Sequence, residues 1–148
     1  MNYSNTTIEN ENVRIALVAE DDDMARVTLA RHLRAEGYGV LEARTSIEAL
    51  LLAVEFPDRI DVLFTSPNLI KYCNGVELAG CLRVSRPEMA VIYLSGEGDR
   101  TEDADQEILE GEALSLEKPL NLRELDAILA AVTCRNFSDT SLETIDRT

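Results

Sequence analysis

The chain has 148 residues, of which 45% are hydrophobic and 5% aromatic, so it is long enough for one domain with an aliphatic core. Its 28 acidic and 14 basic residues give a formal net charge of −14. Such a charge repels phosphate backbones and anionic membranes, so we expect no nucleic-acid or membrane partner. No apolar run approaches the ~20 residues that a membrane helix needs, and the expected location is the cytoplasm.

Short apolar runs alternate with helical patterns five times along the chain. The predicted strands span about 13–19, 38–42, 61–65, 90–94 and 113–116, and the predicted helices about 23–36, 45–55, 76–86, 101–110 and 121–134. This alternation predicts a parallel sheet with helices on both faces. The first helix should turn Val27, Leu29, Ala30 and Leu33 inward.

Three local features of the sequence add to this prediction: a capping motif, the cysteines and the single histidine. Thr45 and Glu48 have the spacing of a capping box, which predicts a helix start at this point. The three cysteines form no CxxC pair, so we expect reduced thiols rather than a disulfide or zinc framework. His32 is the single histidine, and we expect it to be a surface residue rather than a ligand.

Polar residues follow four of the predicted strands at their carboxyl ends. Glu20 and Asp21 follow the first strand, Ser66 the third, Ser95 the fourth and Lys118 the fifth. A doubly wound sheet binds its ligands beyond the carboxyl ends of its strands. We therefore expect these residues to form one site.

In type and order, these residues resemble the response-regulator receiver domains of two-component signalling. The resemblance covers about 115 residues. It implies a CheY-like, flavodoxin-like (βα)5 fold with three layers, doubly wound, with the parallel sheet order 2-1-3-4-5. The receiver domain would span 13–134, between a disordered N-terminal tail at 1–12 and a C-terminal tail at 135–148.

The resemblance also implies a role for each site residue. Glu20 and Asp21 match the two acidic metal-binding positions, and Ser66 matches the aspartate that accepts the phosphoryl group. Ser95 and Lys118 match the hydroxyl and the cation that contact that group. Since serine replaces one of three carboxylates, we expect no required cofactor and at most a weak or vestigial Mg²⁺ site. Lys118 should then pair with Glu20 or Asp21.

The loop after the third strand supports the resemblance and departs from it. Residues 63–79 read LFTSPNLIKYCNGVELA and are similar, without a gap, to a receiver subgroup that typically reads LFTDVVLPGGMNGVELA. The departures are Ser66 for Asp, Pro67-Asn68 for Val-Val, and Ile70-Lys71-Tyr72 for Pro-Gly-Gly. Ser115 stands where receivers usually carry an aromatic residue that moves inward on activation. Because the chain has neither the phosphoacceptor aspartate nor the aromatic switch residue of the family, we expect the domain to be fixed in one conformational state.

We therefore predict a single-domain receiver of a two-component phosphorelay that is not an enzyme and acts as a phosphorylation-independent pseudo-receiver. The stretch Glu97–Glu112 carries eight acidic residues. It is either a solvated helix face or a docking surface for a histidine kinase or another signalling protein with a basic surface. Receivers also dimerise through this surface, so region 97–116 is a candidate homodimer contact.

Two alternatives remain open from the sequence. One is a working receiver that uses Ser66 or another residue as phosphoacceptor with Mg²⁺. The other is a flavodoxin-like, cofactor-binding enzyme with the same sheet order. The acidic run 20–23 disfavours the enzyme, because phosphate-binding loops at this position are rich in glycine or hydroxyls.

Overall fold

The structure is a computed structural model, and it describes residues 13–96, 98 and 101–133. The predicted tails at 1–12 and 135–148 lie outside the described residues. Strands and helices alternate along the described chain as β1 Ile15–Ala19, α1 Asp23–Ala35, β2 Gly39–Ala43, α2 Ser46–Glu55, β3 Val62–Thr65, α3 Gly75–Ser85, β4 Ala90–Ser95, α4 Glu102–Leu109 and β5 Leu114–Glu117. A further helical segment, α5, covers 122–133. None of the described helices has the length and hydropathy that a membrane crossing requires.

The five strands form one parallel sheet in the order β2-β1-β3-β4-β5, which confirms the predicted order. β1 and β3 lie side by side in the centre, with Ala19 in register with Thr65. The chain reverses its direction of winding between these two strands. The residues that follow β1 and β3 therefore meet at the switch point of the sheet.

Hydrophobic side chains fill both faces of the sheet, which confirms the three-layer arrangement. Leu17 and Leu63 point to the side of α2, α3 and α4, where Leu78 and Tyr93 are also buried. Val18 and Phe64 point to the side of α1 and α5, where they pack with Leu29, Leu33, Leu125 and Leu129. Strands buried on both faces are apolar throughout, as the continuous runs in the sequence indicated.

The inner face of α1 differs from the predicted one. Its buried residues are Ala25, Arg26, Leu29, Ala30 and Leu33, whereas Val27 is 41% exposed. Arg26 lies on the same helical stripe as Leu29, Ala30 and Leu33 and takes the inward position. The prediction for Val27 was wrong, because the inward stripe of α1 runs through Arg26 rather than Val27.

The starts of α2 and α3 use different cap geometries. At α2, the Thr45 hydroxyl accepts the Glu48 amide at 3.1 Å, but the Glu48 carboxylate accepts the Arg44 amide at 2.7 Å rather than that of Thr45. The reciprocal capping box lies at α3 instead, where Asn74 and Glu77 accept each other's amides at 2.8 and 3.0 Å. The box predicted at Thr45 is thus only half formed.

Candidate functional site at the carboxyl edge of the sheet

The residues singled out from the sequence lie along one edge of the sheet. Glu20 follows β1, Ser66 follows β3, Ser95 ends β4 and Lys118 follows β5. Backbone hydrogen bonds join neighbouring strand ends, from the Ser66 amide to the Ala19 carbonyl at 3.3 Å and from the Lys118 amide to the Ser95 carbonyl at 2.9 Å. The Lys118–Pro119 peptide bond is cis.

Glu20 and Lys118 form an ion pair at this edge. The Lys118 Nζ atom lies 2.9 Å from the Glu20 Oε1 atom, and the Glu20 residue is fully buried. Its other oxygen, Oε2, accepts the Asp22 amide at 2.9 Å. Burial raises the pKa of the Glu20 carboxyl, and the Asp22 amide and Lys118 oppose that rise. Asp21, by contrast, is exposed to solvent.

Ser66 is buried at 3% exposure, and its hydroxyl belongs to a tight turn. The Ser66 Oγ accepts the Asn68 amide at 3.3 Å, and the Ser66 carbonyl accepts the Leu69 amide at 3.1 Å. A hydroxyl that binds the amide two residues ahead stabilises a local turn. His32 lies on α1 against Asp126 and supplies no base at this position.

Gly75 allows α3 to begin directly against Ser66. A Cβ atom added at Gly75 would lie 1.9 Å from the Ser66 carbonyl oxygen and 2.9 Å from the Thr65 hydroxyl. The Gly75 amide also donates to the Pro67 carbonyl at 3.1 Å. The close approach of these two backbones therefore requires glycine at this position.

The loop between β3 and α3 contains two non-glycine residues with left-handed backbone conformations. The φ angles are 73° at Lys71 and 85° at Tyr72. These are the two positions at which the similar receiver subgroup reads Gly-Gly. A residue with a Cβ atom pays roughly 1–2 kcal/mol in this conformation. The loop thus keeps a glycine-type backbone without the glycines.

Ser46, the first residue of α2, is fully buried and holds this loop in place. Its hydroxyl donates to the Lys71 carbonyl and accepts the Cys73 amide at 3.0 Å, and its amide donates to the Ile70 carbonyl at 3.4 Å. These bonds offset part of the strain at Lys71 and Tyr72. Ser46 was not predicted as a site residue, because a serine at a helix start gives no sign of a contact 25 positions away.

We expect Tyr72→Gly to stabilise the protein. Tyr72 is 79% exposed, so its side chain contributes little packing. Glycine removes the left-handed penalty of roughly 1–2 kcal/mol. This gain exceeds the cost of about 0.5–1 kcal/mol that arises because glycine raises the entropy of the unfolded chain. Urea denaturation should therefore show that the free energy of unfolding rises by about 0.5–1 kcal/mol. Tyr72→Ala keeps the Cβ atom and should show no such gain; equal effects of the two variants would contradict this explanation.

Arg26 joins three parts of the edge and was also missed from the sequence. Its buried guanidinium donates to the Glu20 carbonyl at 3.0 Å and to the Asp23 carboxylate at 2.7 Å, and it lies 3.5 Å from Glu42 on β2. The bond from Arg26 lowers the pKa of Asp23, with a further contribution from Arg44. The acidic segment is therefore largely occupied by structural contacts.

Ser115 is exposed on β5, in register with the buried Tyr93 on β4. The Tyr93 hydroxyl donates to Glu107 Oε1 at 2.7 Å, and Arg83 donates to the same oxygen at 3.0 Å. Burial raises the pKa of Tyr93, and the hydrogen bond to Glu107 adds to this rise. The ring of Tyr93 is thus held in the core by hydrogen bonds that join its hydroxyl and Arg83 to Glu107.

A parallel five-stranded sheet in this order, with acidic, hydroxyl and lysine residues along its carboxyl edge, defines a CheY-like receiver fold. The family model described as "Response regulator receiver domain" matches residues 16–130. The chain therefore belongs to the response regulator receiver family, and its described residues form a receiver domain of two-component signalling.

Relatives from bacteria agree with this assignment. The chain is 32% identical over 111 residues to the sensor kinase CckA of Brucella abortus, covering 74% of this chain and 11% of the kinase. It is 32% identical over 128 residues to the response regulator MprA of Mycobacterium sp. strain KMS, covering 86% of this chain and 53% of MprA. The chain thus spans about half of MprA and a small part of CckA.

Solved structures show the same fold. A receiver domain protein from Clostridium thermocellum superposes with a TM-score of 0.70 at 28% identity, covering 84% of this chain and 97% of that chain. The receiver domain of the hybrid histidine kinase CckA superposes with a TM-score of 0.64 at 28% identity, covering 80% and 97%.

Proposed function

We propose that this receiver domain works without phosphorylation, with Ser66 at the phosphoacceptor position, and that it acts by binding another protein. The observation that carries the proposal is the 2.9 Å ion pair between Lys118 and the buried Glu20. Phosphoryl transfer depends on cations that neutralise the moving charge. Here the lysine is paired with the carboxylate that would otherwise bind a metal ion.

The donor set at this edge is a poor match for Mg²⁺. This ion prefers carboxylate oxygens and near-octahedral geometry. The edge offers the Glu20 carboxylate, which Lys118 and the Asp22 amide already engage, the exposed Asp21 and the Ser66 hydroxyl. No cofactor is therefore required in this proposal, and any Mg²⁺ binding is weak.

The surroundings of the Ser66 hydroxyl also do not support a role as a nucleophile. A serine needs an adjacent base to attack at neutral pH. The hydroxyl is buried and accepts the Asn68 amide, so it serves the turn. The exposed Ser115 has no ring that could move into the core, which supports a domain with one conformational state.

The surface of α4 and the segment after it is the docking surface that we propose. Glu102, Asp103, Glu110 and Glu112 are exposed there, and the side chain of Leu109 is 81% exposed among them. An exposed apolar side chain on the same segment as these exposed carboxylates fits a partner with an apolar pocket and a basic rim. A histidine kinase or another signalling protein with such a surface is the expected partner.

A homodimer through region 97–116 is less favoured by the same charges. In a two-fold dimer the same patch meets itself, so carboxylates of one copy would face those of the other. Like charges that meet in an interface oppose association. We therefore prefer a basic partner to a second copy.

The docking proposal predicts that partner binding depends on the carboxylates of α4 and not on a phosphoryl donor. Pull-down with the wild-type chain should recover the same partner with and without acetyl phosphate. A variant with Glu102, Asp103, Glu110 and Glu112 changed to their amides should lose it, because the electrostatic complementarity is removed.

The matched control carries the same change of charge elsewhere. It converts Glu55, Asp58, Glu88 and Glu124, all exposed and outside α4, to their amides. This control should keep the partner. If both variants fail to recover the partner, binding depends on the net charge of the chain and not on the α4 surface, which would contradict the docking proposal. If the wild-type chain recovers the partner only with acetyl phosphate, binding is not independent of phosphorylation.

The second candidate is a working receiver that uses Ser66 or another residue with Mg²⁺. It is favoured by the presence of Glu20, Asp21, Ser95 and Lys118 along one edge. The family assignment favours either signalling role over the flavodoxin-like, cofactor-binding enzyme, because receivers are signalling domains.

A further inference from the structure

His32, Glu36 and Asp126 form a cluster away from the sheet edge. His32 and Glu36 are one turn apart at the end of α1 and therefore share a face of the chain there, and Asp126 comes from α5. One ligand atom from each residue, an imidazole nitrogen and two carboxylate oxygens, lies within 4.8 Å of the others. The receiver site uses none of these three residues.

The histidine ring forms a hydrogen bond with Asp126, and a metal ion bound through the same two atoms would replace this bond and displace its proton. The His32 Nε2 atom lies 2.7 Å from Asp126 Oδ1, and the histidine side chain is only 17% exposed. Glu36 and Asp126 are exposed, so an ion from solvent can reach their carboxylates. The nearby Arg34 pairs with Glu42 at 3.0 Å, which directs its charge away from the cluster.

The cluster carries several negative contributions, and Arg14, which lines the same pocket as Glu36 and Asp126, is a basic residue beside it. Glu36 is the C-terminal cap residue of α1, and the end of a helix carries a partial negative charge from its free carbonyls. The two carboxylates add their own negative charge. One imidazole nitrogen and two carboxylate oxygens are ligand types that Zn²⁺ binds in three-ligand sites with a remaining position for water.

We propose that His32, Glu36 and Asp126 bind a divalent transition-metal ion of the Zn²⁺ type, which links α1 to α5. The sequence pointed to His32 as a surface residue, because Asp126 lies 94 positions further along the chain. The fold brings them together. This proposal does not depend on the proposed signalling function.

The test is a calorimetric titration of the full chain with Zn²⁺, together with thermal unfolding. One equivalent should bind and raise the Tm, because a ligand that binds only the folded state stabilises it. His32→Ala should weaken binding by more than the roughly 10–100-fold that loss of an outer-shell partner costs. Glu36→Gln and Asp126→Asn should also weaken it. The control Glu124→Gln removes an exposed carboxylate from α5 outside the cluster and should leave binding unchanged.

Cysteines are competing zinc ligands, so Co²⁺ provides a second measurement. Co²⁺ held by nitrogen and oxygen should give visible d–d bands without thiolate charge-transfer bands. Absence of stoichiometric Zn²⁺ binding, full binding by His32→Ala, or thiolate bands would each overturn the proposal. Should His32→Ala not fold, unchanged binding by Asp126→Asn would overturn it equally.

Discussion

Lys118→Met should lower the free energy of unfolding by about 3 kcal/mol at neutral pH, because breaking a buried ion pair leaves an uncompensated charge. Glu20 is fully buried, and the ammonium of Lys118 lies 2.9 Å from its Oε1 atom. We place the loss at the lower end of the usual range, since Lys118 itself is 15% exposed. Chemical denaturation with urea measures this loss directly.

The pH dependence of this variant gives an independent check. Folding raises the pKa of the Glu20 carboxyl above its ordinary value of 4.5. The contribution of this carboxyl to the free energy of unfolding is therefore fully present below pH 4.5. It is lost as the pH rises through the higher pKa of the folded state. A protonated Glu20 needs no cation. The deficit of Lys118→Met should therefore shrink as the pH falls towards that ordinary value.

Two further variants separate the ion pair from other effects of the substitution. The double variant Glu20→Gln/Lys118→Met should recover most of the lost stability, because no buried charge remains. Lys71→Met removes the same charge from an exposed loop position and should change stability by less than about 0.5 kcal/mol. A double variant as unstable as Lys118→Met would contradict the ion-pair explanation.

Gly75→Ala is expected to destabilise the protein by about 3 kcal/mol, the upper end of the usual cost of overpacking. The added methyl group would lie 1.9 Å from the Ser66 carbonyl oxygen, which is backbone and has no rotamer to change. The start of α3 or the turn at Ser66 must then move. Thermal and urea unfolding of the variant measure the effect.

Gly80→Ala is the matched control, because it makes the same substitution in the same helix. Gly80 is exposed, and a Cβ atom there meets nothing within 4 Å. Alanine should stabilise this position by roughly 0.5–1 kcal/mol through its higher helix propensity. Similar effects at the two glycines would show that α3 does not need its close approach to Ser66.

The order of elements was predictable from the sequence, and so was an ion pair of Lys118 with one of the two acidic residues Glu20 and Asp21. Apolar runs of four to six residues between helical patterns identify the strands of a parallel sheet. Strand order then brings the residues after β1, β3, β4 and β5 to one edge. With a serine expected at a carboxylate position of the receiver site, the lysine near two acidic residues indicated an ion pair with Glu20 or Asp21, and the structure forms the pair with Glu20.

The contacts of Arg26 and Ser46 were not predicted from the sequence. Ser46 binds residues 24 to 27 positions away, and Arg26 joins the nearby Glu20 and Asp23 to Glu42 on another strand. Arg26 is buried among Glu20, Asp23 and Glu42, and its place on an apolar stripe was the only signal of this. Ser46 binds a loop whose path the sequence left open. The left-handed residues Lys71 and Tyr72 had a clearer signal, since they replace the Gly-Gly of the similar receivers.

Incubation with acetyl phosphate and Mg²⁺, followed by intact-mass measurement, tests the central claim most directly. A Ser66→Asp variant in the same experiment tells whether the rest of the edge can still support transfer to a carboxylate. The proposed function predicts that the wild-type chain gains no phosphoryl group. Stable, Mg²⁺-dependent phosphorylation of the wild-type chain, on Ser66 or on another residue of the edge, would contradict it.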